Sequence, residues 1–143
     1  MISYKESFFE DSTSSLCIVM EHADDGDLLN KITQNQKIRK HFDEQTVWSL
    51  FIQMILGLKE LHDLKIVHRD IKCANIFLTK KGDLKLGDLN VSKVAKRGML
   101  STQTGTPYYA SPEVWKDKPY NQKSDIWSLG CVLYEMCTGN PPF

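Results

Sequence analysis

Apolar residues recur along the chain with two different periods, and these periods separate predicted strands from predicted helices. Two β-prone stretches, around Tyr4 to Phe9 and Leu16 to Met20, flank the polar segment EDSTSS and predict a hairpin. The clearest helix runs from Asp43 to His62, because apolar side chains repeat there at three- and four-residue spacing. Asp43 is its candidate N-cap. The repeating side chains are Val47, Leu50, Phe51, Met54, Leu58 and Leu61.

Further helices and several short strands complete the pattern. The segment from Asp27 to about His41 is predicted to be helical, and an apolar helix from Ser124 to Met136 is expected to end at Gly139. The short pieces KIVH, NIFL and DLKLGDL predict small strands around a site built from loops. Residues 90–113 show no periodicity, and a loop of that length is usually either functional or disordered.

Composition narrows the class of protein. A charged fraction of 25% and a hydrophobic fraction of 41% are typical of a globular domain. Eighteen basic residues balance eighteen acidic ones, so no basic field favours nucleic acid or a membrane as a partner. The N-terminal stretch MISYKESFFEDS does not resemble a signal peptide, and no apolar run is long enough to span a bilayer. These features predict a soluble cytoplasmic protein.

The cysteines add little chemistry of their own. They are scattered without a C-x-x-C pair and without histidines at ligand spacing. Neither a zinc site nor a disulfide framework is predicted, and we interpret all of them as reduced thiols. They are Cys17, Cys73, Cys131 and Cys137.

The strongest chemical signal is the run HRDIKCAN at residues 68–75, followed by Asp88 in LGDLN. If two short strands fold the chain back on itself, Asp88 comes close to Asp70, Lys72 and Asn75. Phosphoryl transfer needs such a set: a carboxylate for the hydroxyl proton, a cation near the phosphoryl group, and oxygen ligands for Mg²⁺.

This run resembles the catalytic loop of protein kinases, and Asp88 begins a turn similar to their metal-binding turn. The resemblance implies that Asp70 is the catalytic base and that Lys72 contacts the γ-phosphate of ATP. It implies that Asn75 and Asp88 bind Mg²⁺. His68 and Arg69 would then have structural roles.

Two downstream segments extend the resemblance. GTPYYASPE at residues 105–113 resembles the segment that docks peptide substrates, which implies a docking role for Thr106 and a structural role for Glu113. DIWSLG at residues 125–130 is similar to the helix that anchors the catalytic loop, where Asp125 would bind backbone amides. A simpler interpretation of Asp125 is a carboxylate favoured by the helix dipole.

Upstream, LCIVMEHA at residues 16–23 resembles the strand and hinge against which adenine lies, although a plain buried strand would show the same pattern. Met20 would be the gatekeeper, and Leu28 and Phe77 would enclose the adenine ring unless they are simply core residues. The ATP-binding residues implied in this way are Met20, Glu21, Ala23, Asp27, Leu28, Phe77 and Asp88.

Lys72 and Thr106 are typical of Ser/Thr kinases, and the chain most resembles the NIMA-related group. That resemblance implies ATP and Mg²⁺ as cofactors, protein substrates, and possible partners at the cytoskeleton, centrosome or cilium. Thr102 would be an activating phosphosite that pairs with Arg69. Ser101 and Thr104 are rival positions, and a merely solvated loop is the alternative.

The metal-binding turn departs from the family pattern, because it reads Asp88, Leu89, Asn90 where an aromatic and a glycine are usual. Leu89 is expected to fill an apolar gap between the lobes. Asn tolerates left-handed backbone, so Asn90 is expected to preserve magnesium binding while altering the dynamics of the loop.

The expected fold is α+β and kinase-like: residues 1–23 form the end of the small lobe and the hinge, and residues 24–143 form a truncated large lobe. The isolated chain is expected to be poorly stable and at best weakly active. Two functions compete, an active Ser/Thr kinase present as a fragment and a non-catalytic, pseudokinase-like interaction module.

Overall fold

The computed structural model of the chain describes residues 1–89, 92–94, 100 and 106–143. Its strands are β1 (Tyr4–Glu10), β2 (Ser15–Met20), β3 (Ile66–Val67), β4 (Ile76–Leu78), β5 (Leu84–Leu86) and β6 (Lys93–Val94). Its α-helices are α1 (Leu28–Lys37), α2 (Glu44–Asp63), α3 (Pro112–Trp115) and α4 (Lys123–Thr138), and short 3₁₀ turns lie at Cys73–Asn75 and Pro107–Tyr109. The α+β class expected from the sequence is confirmed.

Strands β1 and β2 form the hairpin that the sequence predicts. They pair antiparallel from Glu10 opposite Ser15 to Tyr4 opposite Met20. Every residue of β1 is exposed to solvent. The hairpin is joined to the rest of the chain by the backbone N–H of Ile2, which donates to the carbonyl oxygen of Leu86 at 2.8 Å. This contact holds the hairpin beside β5, and β5 leads directly to Asp88.

Helix α2 lies at the centre of the hydrophobic core. Asp43 caps it by accepting a hydrogen bond from the backbone N–H of Thr46 at 2.9 Å, as the sequence predicts. One face is buried against α4 and the small strands, because its apolar residues recur at helical spacing. The buried residues are Val47, Leu50, Met54, Leu58 and Leu61. Within the described residues, no helix is both long and apolar enough to cross a bilayer.

Helix α1 is shorter than predicted, because it ends at Lys37 and the sequence suggested about His41. Asp27 caps its start, and Leu28 and Ile32 are buried against the core. Beyond Lys37 the only large apolar side chain before Phe42 is Ile38, which is 68% exposed. With nothing to bury there, the backbone leaves the helix and turns toward α2.

Helix α4 packs against α2 and carries Asp125 in its first turn. It ends where predicted, since Gly139 adopts a left-handed conformation with φ of 83° and its N–H bonds to the carbonyl oxygen of Glu135 at 2.8 Å. Glycine adopts this conformation without a steric penalty, and it is therefore common after helix ends.

The small strands position the candidate catalytic residues. β3 pairs with β6, and β4 pairs with β5 around a turn at Gly82. Residues 68–75 therefore lie between β3 and β4, while Asp88 follows β5, so the two segments are brought side by side. The loop predicted at residues 90–113 contains β6 and the beginning of α3. Residues 90, 91, 95–99 and 101–105, among them Asn90 and Thr102, lie outside the described residues.

Candidate active site

The buried carboxylate of Asp125 attaches the catalytic segment to helix α4. Its Oδ2 accepts a hydrogen bond from the backbone N–H of His68 at 2.9 Å, and its Oδ1 accepts one from the N–H of Arg69 at 2.9 Å. The ring Nε2 of His62 lies 2.8 Å from Oδ2. Asp125 is 1% exposed, and a buried carboxylate is stable only when donors surround it. These bonds fix the backbone immediately before Asp70.

His68 connects the catalytic segment to the turn that carries Asp88. Its Nε2 lies 3.1 Å from the carbonyl oxygen of Gly87, and the N–H of Asp70 lies 3.4 Å from its Nδ1. Burial lowers the pKa of His68 and outweighs the nearby charge of Asp125, which would raise it. The neutral ring therefore donates from Nε2 and accepts at Nδ1, and the two segments keep a fixed spacing.

Arg69 takes an unusual backbone conformation beside Asp70. Its φ is 74°, which non-glycine residues rarely adopt, and its guanidinium lies 5.9 Å from the centre of the Tyr120 ring. The left-handed conformation lets the N–H of Arg69 reach Asp125 while the side chain turns toward Tyr120, so it contributes to the geometry of the loop.

Asp70 is the centre of a polar network that also contains Lys72, Asn75 and Thr106. The Lys72 Nζ lies 2.8 Å from Oδ2 of Asp70 and donates to the Thr106 hydroxyl at 2.8 Å. The Thr106 hydroxyl donates to Oδ1 of Asp70 at 3.0 Å. Asn75 donates from Nδ2 to Oδ2 of Asp70 at 2.9 Å and to its backbone oxygen at 2.8 Å. The network orients both carboxylate oxygens.

Asp70 carries a negative charge at neutral pH. Burial raises the pKa of its carboxyl, but hydrogen bonds from Lys72, Thr106 and Asn75 together outweigh burial, and the pKa lies below its ordinary value. The carboxylate is therefore ionised and oriented before any substrate arrives.

Beside this network lies a cavity of about 800 Å³ between the hairpin and the small strands. Its volume falls within the roughly 300–1,000 Å³ that is usual for small-molecule and cofactor sites. The structure places most of the implied ATP-binding and metal-binding residues in its walls. These are Met20, Glu21, Ala23, Asp27, Asn75, Phe77 and Asp88.

One side chain lies elsewhere than the resemblance implied. Leu28 is fully buried in the core, and it is not among the described residues that line the cavity. Helix α1 begins at Leu28 and turns this side chain inward together with Ile32. Leu89 is 41% exposed and lines the cavity, and its filling of an apolar gap between the lobes stays a prediction.

Glu21 and Ala23 both line the cavity. The N–H of Glu21 donates to the carbonyl oxygen of Ser3 at 2.8 Å and is already occupied. Its carboxylate pairs with Lys85 at 2.9 Å, and that hydrogen bond lowers the pKa of Glu21. The N–H of Ala23, by contrast, has no partner among the described residues. The backbone N–H of Ala23 is therefore available to donate a hydrogen bond to a bound nucleobase.

Asn75 and Asp88 have the chemistry of a magnesium site. The amide nitrogen of Asn75 is used by Asp70, while its Oδ1 accepts no hydrogen bond from any described residue. Asp88 lies on the same cavity wall and takes a left-handed conformation with φ of 59°. Mg²⁺ is usually held by one or two protein oxygens together with water and phosphate oxygens, so this pair fits the ion.

Thr106 and Glu113 occupy the segment expected to dock substrate. Thr106 lies within hydrogen-bond distance of both Lys72 and Asp70, which brings that segment against the catalytic residues. Glu113 is half-buried in α3 and forms no salt bridge with any residue that the structure describes. Its backbone oxygen accepts a hydrogen bond from Lys118 at 2.9 Å.

A buried cluster that the sequence did not reveal joins Cys73, Tyr109 and Glu135. The Cys73 thiol donates to Oε2 of Glu135 at 3.1 Å, and the Tyr109 hydroxyl donates to the same oxygen at 2.5 Å. Burial raises the pKa of the Cys73 thiol and of the Tyr109 hydroxyl, so both remain protonated donors. The cluster ties the catalytic segment and the docking segment to α4. An acidic residue within an apolar helix was its only signal in the sequence.

Gly87 is a second residue that sequence reasoning missed. A Cβ at this position would lie 2.6 Å from Cε2 and 2.9 Å from Cδ2 of Phe77. Such distances are well inside van der Waals contact, and the ring would have to move. The absence of a side chain at Gly87 therefore lets Phe77 lie against the chain just before Asp88.

If the cavity binds ATP as the resemblance implies, Gly87→Ala should weaken that binding at least fivefold, in line with the ~1–3 kcal/mol cost of overpacking a close contact. The displaced Phe77 ring would narrow the cavity and disturb the backbone at Asp88. Titration of the full-length protein with a fluorescent ATP analogue measures the effect.

Gly130→Ala is the matched control, because a Cβ there meets nothing within 4 Å. It should leave affinity unchanged and raise helix stability by up to about 1 kcal/mol. Equal affinities for the two variants would contradict this account of Phe77.

The fold and the site geometry agree with the comparison against protein families. The family described as protein kinase domain matches residues 1–143. The chain belongs to the protein kinase domain family.

Among curated proteins, the chain is similar to NIMA-related kinases, as its motifs indicated. It is 46% identical to the mouse serine/threonine-protein kinase Nek3, with 100% of this chain and 28% of that protein covered. It is 49% identical to human Nek5, with 100% of this chain and 20% of that protein covered, and 50% identical to mouse Nek1, with 96% and 11% covered. The chain therefore spans less than a third of the length of these relatives.

Proposed function

We propose that the protein transfers the γ-phosphoryl group of ATP to serine or threonine hydroxyls of protein substrates. The observation that carries the proposal is the network in which Lys72, Thr106 and Asn75 all contact the carboxylate of Asp70. Asn75 also lines the cavity, so the network and the proposed ATP site share a wall. The Nek relatives named as serine/threonine-protein kinases support the same reaction.

In this proposal Asp70 accepts the proton of the substrate hydroxyl as its oxygen bonds to the γ-phosphorus. The bond from that phosphorus to the β–γ bridging oxygen breaks, and ADP leaves. Its lowered pKa makes it a weak base. A weak base suffices, because phosphoryl transfer has a loose transition state in which catalysis depends mainly on position and electrostatics. The three donors aim the carboxylate before substrate binds, and this lowers the entropic part of the barrier.

Lys72 supplies the cation in the same network. Its ammonium lies 2.8 Å from Asp70 and donates to Thr106 at 2.8 Å, so it is held at the point where substrate and phosphate would meet. Charge that develops on the transferred phosphoryl oxygens would be stabilised there, in a partly desolvated site. Thr106 links this cation to the substrate-docking segment and would align an aliphatic hydroxyl.

ATP would occupy the 800 Å³ cavity, with adenine near Met20, Ala23 and Phe77. Apolar walls would bury the base, and the amide of Ala23 would give it a specific hydrogen bond. Asn75 and Asp88 would hold Mg²⁺ through their side-chain oxygens. When bound, the ion would neutralise part of the negative charge of the phosphates.

Two finer proposals rest on family analogy. Phosphorylation of Thr102 would order the docking segment through Arg69, and Thr102 lies outside the described residues. Cytoskeletal or ciliary partners remain a prediction for the whole protein, because fold alone does not specify partners.

The proposal is tested by acceptor specificity. Full-length protein is incubated with radiolabelled ATP, Mg²⁺ and peptides that differ only in a Ser, Thr or Tyr acceptor. Label should enter the Ser and Thr peptides at least about a hundredfold faster than the Tyr peptide, since the proposed role of the hydrogen-bonded Lys72–Thr106 pair is to align an aliphatic hydroxyl. Chelation of Mg²⁺ should abolish transfer. Equal labelling of the Tyr peptide would refute the substrate class, and ATP binding without any transfer would favour a non-catalytic interaction module.

A further inference from the structure

A second cleft lies where the C-terminal ends of α1 and α4 meet. Its volume is about 290 Å³, and it shares no lining residue with the ATP cavity. Ile32 and Met136 line it and are buried, while Phe42 is partly buried between them and solvent. The cleft therefore has an apolar floor that can hold a single aliphatic or aromatic side chain.

Polar but uncharged groups form the walls of this cleft. Asn35, Gln36 and Asn140 line it with carboxamide side chains. The Nε2 of Gln36 donates to the carbonyl oxygen of Gly139 and so fixes the two helix ends against each other. Carboxamides donate and accept, which suits them to bind the backbone of an extended peptide.

The rim is strongly basic. Arg39, Lys40 and His41 line the cleft, Lys37 precedes them in the sequence without lining it, and no Asp or Glu lines the cleft. In the part of the chain that the structure describes, none of these residues forms a salt bridge. The nearest carboxylate in sequence, Asp43, accepts hydrogen bonds from Thr46 and caps α2. These hydrogen bonds are the largest cause of its lowered pKa, and the charge of Lys40 is a smaller one. Since the whole chain has a net charge of zero, this is a local concentration of positive charge.

Arg39 occupies a backbone position that favours glycine. Its φ is 53°, and its N–H bonds to the carbonyl oxygen of Gln36 at 3.0 Å just after the end of α1. Glycine is the usual residue at such a position, because a side chain there is sterically disfavoured. The chain thus carries a long cationic side chain where a smaller residue would fit with less strain, as it also does at Lys65 after the end of α2.

We propose that this cleft docks an acidic peptide segment of a partner protein, with one apolar side chain of that segment on the floor formed by Ile32, Phe42 and Met136. The basic rim provides the complementary charge, and the carboxamides provide contacts to the peptide backbone. A concave cleft with an apolar floor suits a peptide better than a flat anionic membrane, which needs an exposed basic surface. The proposal does not depend on catalytic activity.

The test measures binding by the full-length protein of a short fluorescein-labelled peptide, made of Glu and Asp residues around a single Leu. Fluorescence anisotropy should show saturable binding that weakens as salt rises. The peptide with Gln and Asn in place of the acidic residues, and the peptide with Ser in place of Leu, should each bind at least about tenfold more weakly.

Arg39→Gly combined with Lys40→Ala should weaken binding of the acidic peptide at least about tenfold. Glycine suits the left-handed conformation at position 39, so the melting temperature should stay equal or rise, and a folding defect cannot explain the loss. Lys81→Ala is the matched control. Lys81 is an exposed lysine in the turn between β4 and β5, and its removal should leave binding unchanged.

Three results would overturn the proposal. The first is equal affinity for the acidic and neutral peptides. The second is full binding by the Arg39→Gly, Lys40→Ala protein, or an equal loss in Lys81→Ala. The third is no peptide binding while vesicles of phosphatidylserine and phosphatidylcholine bind the parent and not the double variant, which would assign the basic rim to a membrane surface.

Discussion

Replacing Asp70 by Asn is expected to lower kcat by about 10²–10⁴-fold, the usual contribution of a general base, while ATP affinity changes less than about twofold. The amide has the same shape and can still accept a hydrogen bond from Thr106 or Lys72, but it cannot take the substrate proton. Asp70 is not among the described residues that line the ATP cavity, so nucleotide binding should be spared. Steady-state kinetics with a Ser-containing peptide, together with ATP titration, separates the two effects.

Asp83→Asn is the control for this variant, since Asp83 lies in the exposed turn between β4 and β5 and its side chain forms no hydrogen bond with the described residues. It should behave like the parent in both measurements. Parent-like turnover by Asp70→Asn would show that another group accepts the proton. A loss of ATP binding in that variant would show instead that Asp70 supports the nucleotide site.

Replacing Asp125 by Asn is expected to have the largest effect on stability. The amide can satisfy only one of the two backbone N–H groups that Asp125 now accepts, and its own NH₂ would face the other. An unpaired buried amide costs about 1–3 kcal/mol, and the lost charge-assisted hydrogen bonds were worth roughly 1.5–3 kcal/mol. Because domains are stable by only about 5–15 kcal/mol, the midpoint of urea unfolding should fall clearly.

Asp63→Asn is the matched control for this measurement. Asp63 pairs with Lys59 on the surface of α2, where its side chain is 60% exposed. An exposed pair of this kind contributes only about 0.3–0.5 kcal/mol, so the midpoint should hardly move. If Asp125→Asn unfolds at the same urea concentration as Asp63→Asn, the anchoring role of Asp125 is refuted. The m-value should remain constant in both, since the surface exposed on unfolding is unchanged.

Local signals in the sequence predicted most of the helices and strands. Asp43 followed by a regular apolar repeat placed α2 within one residue at each end, because a cap and an amphipathic face act within the helix itself. The hairpin followed equally from two apolar runs around a polar turn. Where the apolar repeat was weak, at residues 38–41, the end of α1 was placed too late.

Only part of the candidate site could be predicted from local signals in the sequence. The kinase-like motif predicted roles for Asp70, Lys72, Asn75 and Asp88, because the residues proposed for one reaction lie in short segments of the chain. The orientation of Leu28 could not be predicted from the sequence, because an apolar side chain at this position can face either a ligand or the core. Leu89 is 41% exposed, and its expected place in an apolar gap between the lobes stays a prediction.

The sequence by itself determined the chemistry of this protein: which carboxylates, which lysine and which asparagine are present, and in what order. Only the tertiary structure decided how they meet, because the deciding contacts join residues far apart in the chain. Asp125 reaches the amides of His68 and Arg69 from helix α4, and Glu135 joins Cys73 to Tyr109. Such bonds form only after the helices have packed, since the hydrophobic effect is not directional and brings the polar groups into the interior where they must find partners.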